Sequence, residues 1–287
     1  MRIAVASGKG GTGKTTIATS LVRSLISEGI VSYTDCDVEA PNGHLFLHPK
    51  ILESTEAVVR IPRINKDKCS LCGRCVEVCQ FHALAKIGRT IMVFPQLCHG
   101  CGSCTWNCPD IAIEEVLHPI GLLESGLTED GIRFNQGLLT ISEPMATPII
   151  RQLKKFRDQS ENTIEIFDAP PGASCSVVET LRKSDFVLLV TEPTPFGLHD
   201  LKQVKGIIDD MQLEAGVVIN KDDDRFLPLT EYCKENSLPV LMRIPFERKI
   251  AEGIAQGLSL IEIYPAYREK FIQLFNQVQS LAQERCL

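Results

Sequence analysis

Residues 8–16, Gly8-Lys9-Gly10-Gly11-Thr12-Gly13-Lys14-Thr15-Thr16, stand between a short apolar run, Arg2-Ile3-Ala4-Val5-Ala6, and a stretch whose apolar residues Ile17, Leu21, Val22 and Leu25 recur at helical spacing. The stretch satisfies G-x-x-x-x-G-K-[ST] in the strand–loop–helix setting that the pattern needs. This constrains the fold more than any other part of the chain. The glycines let the main chain curl and point its amides inward, and the following helix adds the positive end of its dipole. Gly29 falls where a C-terminal cap of that helix is expected. An anionic phosphate suits such a loop: Lys14 is expected to reach the β- and γ-phosphates and the Thr15 hydroxyl to bind Mg²⁺.

Further apolar runs end in polar residues, as strands do at the carboxyl edge of an open α/β sheet, where ligands bind. Residues 30–34 lead into Asp35-Cys36-Asp37-Val38-Glu39-Ala40-Pro41-Asn42, and residues 164–168 end in Asp168 before Ala169-Pro170-Pro171-Gly172. Asp168 stands where a second Mg²⁺-shell carboxylate is required. Residues 186–190 run into Thr191-Glu192-Pro193, residues 217–219 into Asn220-Lys221, and residues 240–244 into Pro245-Phe246. Strand–helix alternation over 160–284 predicts an α/β fold with a mostly parallel, doubly wound sheet covered on both faces.

Eight of the twelve cysteines interrupt this alternation. They form two copies of one pattern, Cys69-x-x-Cys72-x-x-Cys75-x-x-x-Cys79 and Cys98-x-x-Cys101-x-x-Cys104-x-x-x-Cys108-Pro109, with each cysteine 29 residues after its counterpart (Cys69 to Cys98). Thiolates at i, i+3 and i+6 can close on one face of an iron–sulfur cubane. Zinc sites prefer paired C-x-x-C units across a longer loop, which this spacing fits poorly. The first run has Gln80 where the second has Pro109. His82 and His99 replace no cysteine and are expected beside the ligands or at the surface.

The motif with Lys9 beside its first glycine resembles the deviant Walker A loop of the MinD/ParA family of P-loop ATPases. That resemblance implies that Lys9 reaches across a nucleotide-sandwiched dimer to the partner's ATP. It also implies that Asp37 orients the attacking water, Asp35 supports the Mg²⁺ shell together with Thr15 and Asp168, Asn220 pairs with adenine, and Pro245 lines the base pocket. An Asn capping a turn is the plain alternative for Asn220. The cysteine repeat resembles two-cluster bacterial ferredoxins. It implies two [4Fe–4S] clusters with exchanged fourth ligands: Cys69, Cys72, Cys75 and Cys108 for one, Cys98, Cys101, Cys104 and Cys79 for the other. The whole chain resembles MinD-type ATPases carrying an inserted α+β ferredoxin-type domain, relatives of the nitrogenase iron protein and Mrp-type cluster carriers. The implied organisation is 1–60 for the first part of the ATPase domain, 61–115 for the insertion and 116–287 for the second part.

Composition narrows the function classes. A formal net charge of −6 argues against a broad basic surface for nucleic acid. No stretch of eighteen apolar residues is present, and the N-terminus lacks the apolar core of a signal peptide, so a cytoplasmic protein without a stable membrane anchor is expected. Phe271, Leu274, Phe275, Val278 and Leu281 make a C-terminal amphipathic stripe; its polar face, which includes Glu269, Lys270, Glu284 and Arg285, has mixed charge, so packing on the sheet is expected rather than binding to an anionic membrane. Cys175 is a candidate interface thiol or ligand of a shared cluster, though residues 116–150 hold no partner cysteine; Cys36, Cys233 and Cys286 read as ordinary thiols. The expected activity is hydrolysis of ATP by a homodimer, or a heterodimer with a sister ATPase, coupled to electron transfer with an unidentified redox partner. Delivery of clusters to an apo-protein and cargo positioning are the alternatives.

Overall fold

The computed structural model describes residues 1–156 and 163–284. Its main sheet has nine strands. In chain order the strands of the structure are β1 (Arg2–Ala6), β2 (Val31–Asp35), β3 (Lys50–Ile64), β4 (Leu84–Ile87), β5 (Thr90–Val93), β6 (Ile113–Leu127), β7 (Arg133–Leu139), β8 (Ile164–Asp168), β9 (Phe186–Thr191), β10 (Ala215–Asp222) and β11 (Val240–Pro245). The main sheet runs β11-β10-β9-β1-β8-β2-β7-β6-β3, and β4-β5 form a separate pair. Every pairing from β11 to β7 is parallel, whereas β7–β6 and β6–β3 are antiparallel.

Residue alternation explains why this sheet is covered on both sides. In β1, Ile3 and Val5 point to one core while Ala4 and Ala6 point to the other; in β9, Phe186, Leu188 and Val190 alternate with Val187 and Leu189 in the same way. Strands buried on both faces belong to doubly wound parallel sheets. The first core is closed by the helices Lys14–Ser24 and Tyr267–Glu284, the second by Thr147–Phe156, Cys175–Leu181 and Pro195–Asp210. The C-terminal apolar stripe packs into the first core: Phe271, Leu274, Phe275 and Val278 are buried and Leu281 is partly buried against it. Arg285 and Cys286 lie outside the described residues. Among the described residues, no helix is long and apolar enough to cross a membrane. One boundary differs from expectation. The first helix ends at Ser24, and Gly29 caps a following 3₁₀ turn, Ile26–Glu28, instead.

The long strands β3 and β6 are the feature that the sequence pattern did not announce. They pair from Lys50↔Leu127 to Ile64↔Ile113, but β6 pairs with β7 only from Gly121 to Leu127. Beyond Ala57 and Gly121 the two strands leave the sheet as a free ribbon past the carboxyl end of β7. At about 3.4 Å per residue, Val58–Ile64 reaches roughly 20 Å. The register shifts between Ala57 and Val58, at the root of the ribbon. There the Gln152 side chain accepts from the Val58 N–H at 3.2 Å and donates to the Val58 carbonyl at 3.0 Å. The Thr140 N–H donates to the Ile120 carbonyl at 2.9 Å. Both groups would otherwise lack a ladder partner where the bulge opens.

The cysteine-bearing segment hangs from the ribbon's far end, between Ile64 and Ile113, with a core of its own. Residues 61–64 and 113–115 therefore belong to the ribbon strands. The 29-residue repeat is written into the backbone: Leu71 and Gly100, Gly73 and Gly102, and His82 and Ile111 are three pairs with matching positive φ (60° and 65°, 85° and 72°, 53° and 50°). Because Ile64 and Ile113 are directly paired, replacing residues 65–112 by an Asn-Gly turn closes an ordinary hairpin. The shortened protein is expected to unfold cooperatively in urea and to keep its nucleotide affinity. Loss of the cooperative transition would mean that the segment is needed to fold the sheet.

Candidate nucleotide site and paired cysteine cavities

The Gly-rich loop leaves β1 at the carboxyl edge of the sheet and enters the helix Lys14–Ser24. It lines an open cavity with Ser7, Lys9, Gly10, Gly11, Thr12, Gly13, Lys14, Thr15 and Thr16. Asp37, Asn42, Phe46, Pro171 and Ile254 complete the wall. Of these, Phe46 and Ile254 carried no signal in the sequence, since each lies on a short helix far from the motif. Gly13 has φ +92°, and a side chain there would overlap the Asn220 amide.

Below the loop lies a buried acidic pair. Asp35 and Asp168 are both 0 % exposed and sit opposite each other on β2 and β8. Asp168 is held from two sides: Lys14 Nζ lies 3.2 Å from Oδ1, and the Tyr33 hydroxyl donates to Oδ2 at 2.9 Å. Asp35 accepts from the Asp37 N–H at 3.1 Å and from the N–H groups of Asn42 and Gly43 at 3.0 and 2.9 Å. Burial, then the neighbouring Asp168 charge, push the Asp35 carboxyl up to about 7, against the pull of those amides and Lys14. Asp37 is also raised by burial, with Lys14 opposing. An acidic pair of this kind beside one lysine suits a divalent cation, which would supply the missing positive charge.

The remaining nucleotide residues fall less simply. Lys9 is ion-paired with Glu192 at 2.9 Å, and Lys221 holds the other Glu192 oxygen at 2.6 Å while also donating to the Gly11 carbonyl. Burial would raise the Glu192 carboxyl, but Lys221 and Lys9 outweigh it and hold the group below its ordinary value. Asn220 is buried, and its amide nitrogen donates to the Thr12 carbonyl at 2.7 Å, bracing the loop from beneath. Pro245 ends β11 and is exposed; neither it nor Asn220 lines the cavity around the loop.

The cysteines form two further cavities. Cys69, Cys72, Cys75 and Cys108 line one, and Cys79, Cys98, Cys101 and Cys104 line the other. Each takes three cysteines from one copy of the repeat and the fourth from the other. Ile64, Ile91 and Ile113 wall the first, and Pro62, Phe81, Ala83 and Leu84 wall the second. The Ala83 N–H donates to Cys79 Sγ and the Ala112 N–H to Cys108 Sγ, both at 3.3 Å. Among the described residues, no group of three or more His, Cys, Asp or Glu stands close enough to hold a single metal ion. Equivalent places in the two copies carry different chemistry. Ser70 donates to Asp110 beside the first cavity, whereas His99 stacks on Phe81 at 3.7 Å between centroids beside the second. His82 is exposed. Cys175 is exposed at the start of the helix Cys175–Leu181, while Cys36 and Cys233 are buried and their thiols are pushed up by burial to about 12 and about 11.

The Asp35 value has a consequence for stability. Its folded pKa exceeds the unfolded one, so the folded state holds the extra proton and loses stability as pH rises from about 4 to about 7. Asp35→Asn is expected to flatten that slope in urea denaturation of the nucleotide-free protein between those limits. An unchanged slope would assign the pH dependence elsewhere.

Comparison with known proteins agrees with this geometry. The model of the CobQ/CobB/MinD/ParA nucleotide binding domain matches residues 3–261. The uncharacterised protein MJ0578 of Methanocaldococcus jannaschii is 30 % identical over 97 % of this chain and 96 % of its own length. The uncharacterised ATP-binding protein MJ0823 of the same organism is 26 % identical over 88 % of each chain. Among solved structures, the septum site-determining protein MinD complexed with Mg-ADP from Pyrococcus horikoshii shares the fold, with a TM-score of 0.59 and 19 % identity over 98 % of this chain and 96 % of that one. With the loop, the buried carboxylates and the parallel sheet in place, the chain belongs to the CobQ/CobB/MinD/ParA family of nucleotide-binding proteins.

Proposed function

We propose that this chain is a dimerising Mg-ATPase that couples its nucleotide state to single-electron transfer through two [4Fe–4S] clusters. The observation that carries the reading is the pairing of the eight cysteines into two sets of four around separate cavities, on an arm that leaves the sheet at the same carboxyl edge as the phosphate loop. The donor sets fit such clusters: all-thiolate ligands, apolar walls and backbone N–H groups directed at sulfur. Cys69, Cys72, Cys75 and Cys108 would hold one, and Cys79, Cys98, Cys101 and Cys104 the other. Bound there, the clusters would take up and release electrons one at a time. A group held by four cysteines of one chain favours retention over delivery.

On the nucleotide side, Lys14 and the amides from Gly10 to Thr16 would cradle the phosphates, and Thr15, Asp35 and Asp168 would hold Mg²⁺ directly or through water. Asp37, at the mouth of the cavity, would orient the water that attacks the γ-phosphate, giving ADP and phosphate. Lys9 would leave Glu192 to reach the phosphates across the interface of a homodimer or of a heterodimer with a sister ATPase. Asn220 and Pro245 remain the proposed contacts to the base. ATP-binding MJ0823 and the Mg-ADP complex of the MinD neighbour support this assignment of the ligand.

Coupling has a short structural route. The Val38 carbonyl, next to Asp37, accepts from the Leu139 N–H at 2.8 Å; the next amide, Thr140, holds Ile120 at the ribbon root, where Gln152 clasps Val58. A movement of the loop at Asp37 would therefore pull on the arm that carries the cysteines.

The test is anaerobic reconstitution with iron and sulfide, followed by redox titration with and without Mg-ATP. Iron and labile sulfide are expected in the amount that two four-iron clusters require, and ATP is expected to shift a midpoint potential or the rate of electron transfer. Lys14→Ala should keep the iron and lose both nucleotide binding and the shift. Gln152→Ala should keep iron and nucleotide affinity but weaken the shift. Absence of any nucleotide effect would overturn the coupling, and transfer of iron to an apo-protein would establish delivery in its place.

A further inference from the structure

We infer that Tyr33 is a positioning residue of the metal–nucleotide site, whose hydroxyl fixes the Asp168 carboxylate in the orientation that receives Mg²⁺. The inference rests on the Mg-ATP reading above and names a residue that the phosphate-loop pattern does not contain. Tyr33, Asp35 and Asp168 share the sheet face against which the helix Lys14–Ser24 packs. Tyr33 and Asp35 are two apart on β2, and Asp168 lies across from Asp35 on β8. That parity puts the phenol beside Asp168 and directly below the loop.

Three observations separate this hydroxyl from an ordinary core tyrosine. Tyr33 is 0 % exposed, so its one polar atom must find a partner inside, and that partner is Asp168 Oδ2 at 2.9 Å. The ring is fixed by stacking on Phe134, with centroids 5.7 Å apart and 17° between planes. Gly43 backs the hydroxyl so closely that a side chain there would overlap it, and the Gly43 N–H is itself committed to Asp35.

Lys14 and Tyr33 now divide the two Asp168 oxygens between them. When Lys14 turns to the phosphates, Tyr33 is the donor that stays. A carboxylate kept by one fixed neutral donor presents its other oxygen in one direction, which is what a metal with strict octahedral preference needs. Without the hydroxyl, the carboxylate would have to find that orientation on binding.

Tyr33→Phe keeps the ring and its stacking and removes only the donor. In the full-length protein, binding of a fluorescent ADP analogue is measured in EDTA and across a Mg²⁺ titration. The variant is expected to match the wild type in EDTA and to need about tenfold more Mg²⁺ for half its effect, with a lower rate of ATP hydrolysis at fixed Mg²⁺. A merely structural role would leave the Mg²⁺ requirement unchanged or would weaken metal-free binding equally; either result overturns the inference. A wild-type protein whose ADP binding ignores Mg²⁺ would overturn the metal assignment of Asp168 as well, which separates the two failures. Should Tyr33→Phe not fold, Gly43→Ala displaces the hydroxyl from the other side at an ordinary helical backbone conformation (φ −60°). It is expected to raise the Mg²⁺ requirement in the same way, and a wild-type response from it would count equally against the inference.

Discussion

The contact between Lys14 and Asp168 is the interaction on which the rest depends. Two carboxylates, Asp35 and Asp168, are taken out of water under the loop, and their mutual repulsion is offset by one buried ammonium, one phenol and three backbone amides. Removing one partner of a buried ion pair typically costs about 3–5 kcal/mol, because the other charge is left uncompensated. The strands β1, β2 and β8 must therefore stand in one register, since only then do the loop, Asp35 and Asp168 end at the same level. A parallel order with β8 between β1 and β2 supplies this, and the helices that connect the parallel strands bury both faces of the sheet as a result. The site is thus strained electrostatically and firm mechanically, an arrangement suited to a ligand that brings both a cation and phosphates.

The second organising element is the ribbon. A long edge strand is a hazard in most proteins, because its unpaired groups invite another chain. Here the register shift at Ala57 and Val58 breaks the edge, and charged residues, Glu53, Glu56, Arg60 and Arg63, are spaced along it. The same shift gives the arm its root. At that root the peptide groups of Val58 and Ile120 are satisfied from outside the ladder, by Gln152 and by Thr140, and Thr140 follows directly on the residue bonded to Val38. The nucleotide loop and the cysteine arm thus share a hydrogen-bonded junction, although a long stretch of sequence separates Asp37 from Cys69, the first cysteine of the repeat.

The paired cavities add an asymmetry to an otherwise repeated module. The backbone follows the repeat closely, down to matching positive φ angles and matching amide–sulfur bonds at Cys79 and Cys108. The side chains at the Ser70–Asp110 and His99–Phe81 positions do not. The cavity with His99 and Phe81 borders the part of the ribbon nearer the sheet, at Pro62 and Glu115, and the cavity with Asp110 lies nearer the tip, at Ile64 and Ile113. A carboxylate beside one site and a stacked aromatic pair beside the other give the two different electrostatic surroundings.

Much of this was determined by the sequence alone. The Gly-rich loop, the aspartates at strand ends and the 29-residue cysteine repeat are local patterns, and local patterns survive without tertiary information because spacing along the chain sets their geometry. The exchange of the fourth cysteine is an expectation from the repeat and its resemblance, and the cysteines that line each cavity support it. Only the tertiary structure decided the rest. Tyr33 reads as any apolar strand residue until β8 places Asp168 beside it, and nothing along the chain announces that the Asn220 amide braces the loop at the Thr12 carbonyl. Glu192 reads as a turn residue until Lys9 and Lys221 converge on it. The edge strand β3 is hard to see along the chain because residues 50–56 are exposed throughout and so lack the alternation that marks a half-buried strand. Each of these depends on which strands become neighbours, and strand order is settled by packing across the whole sheet and by no single stretch of the chain.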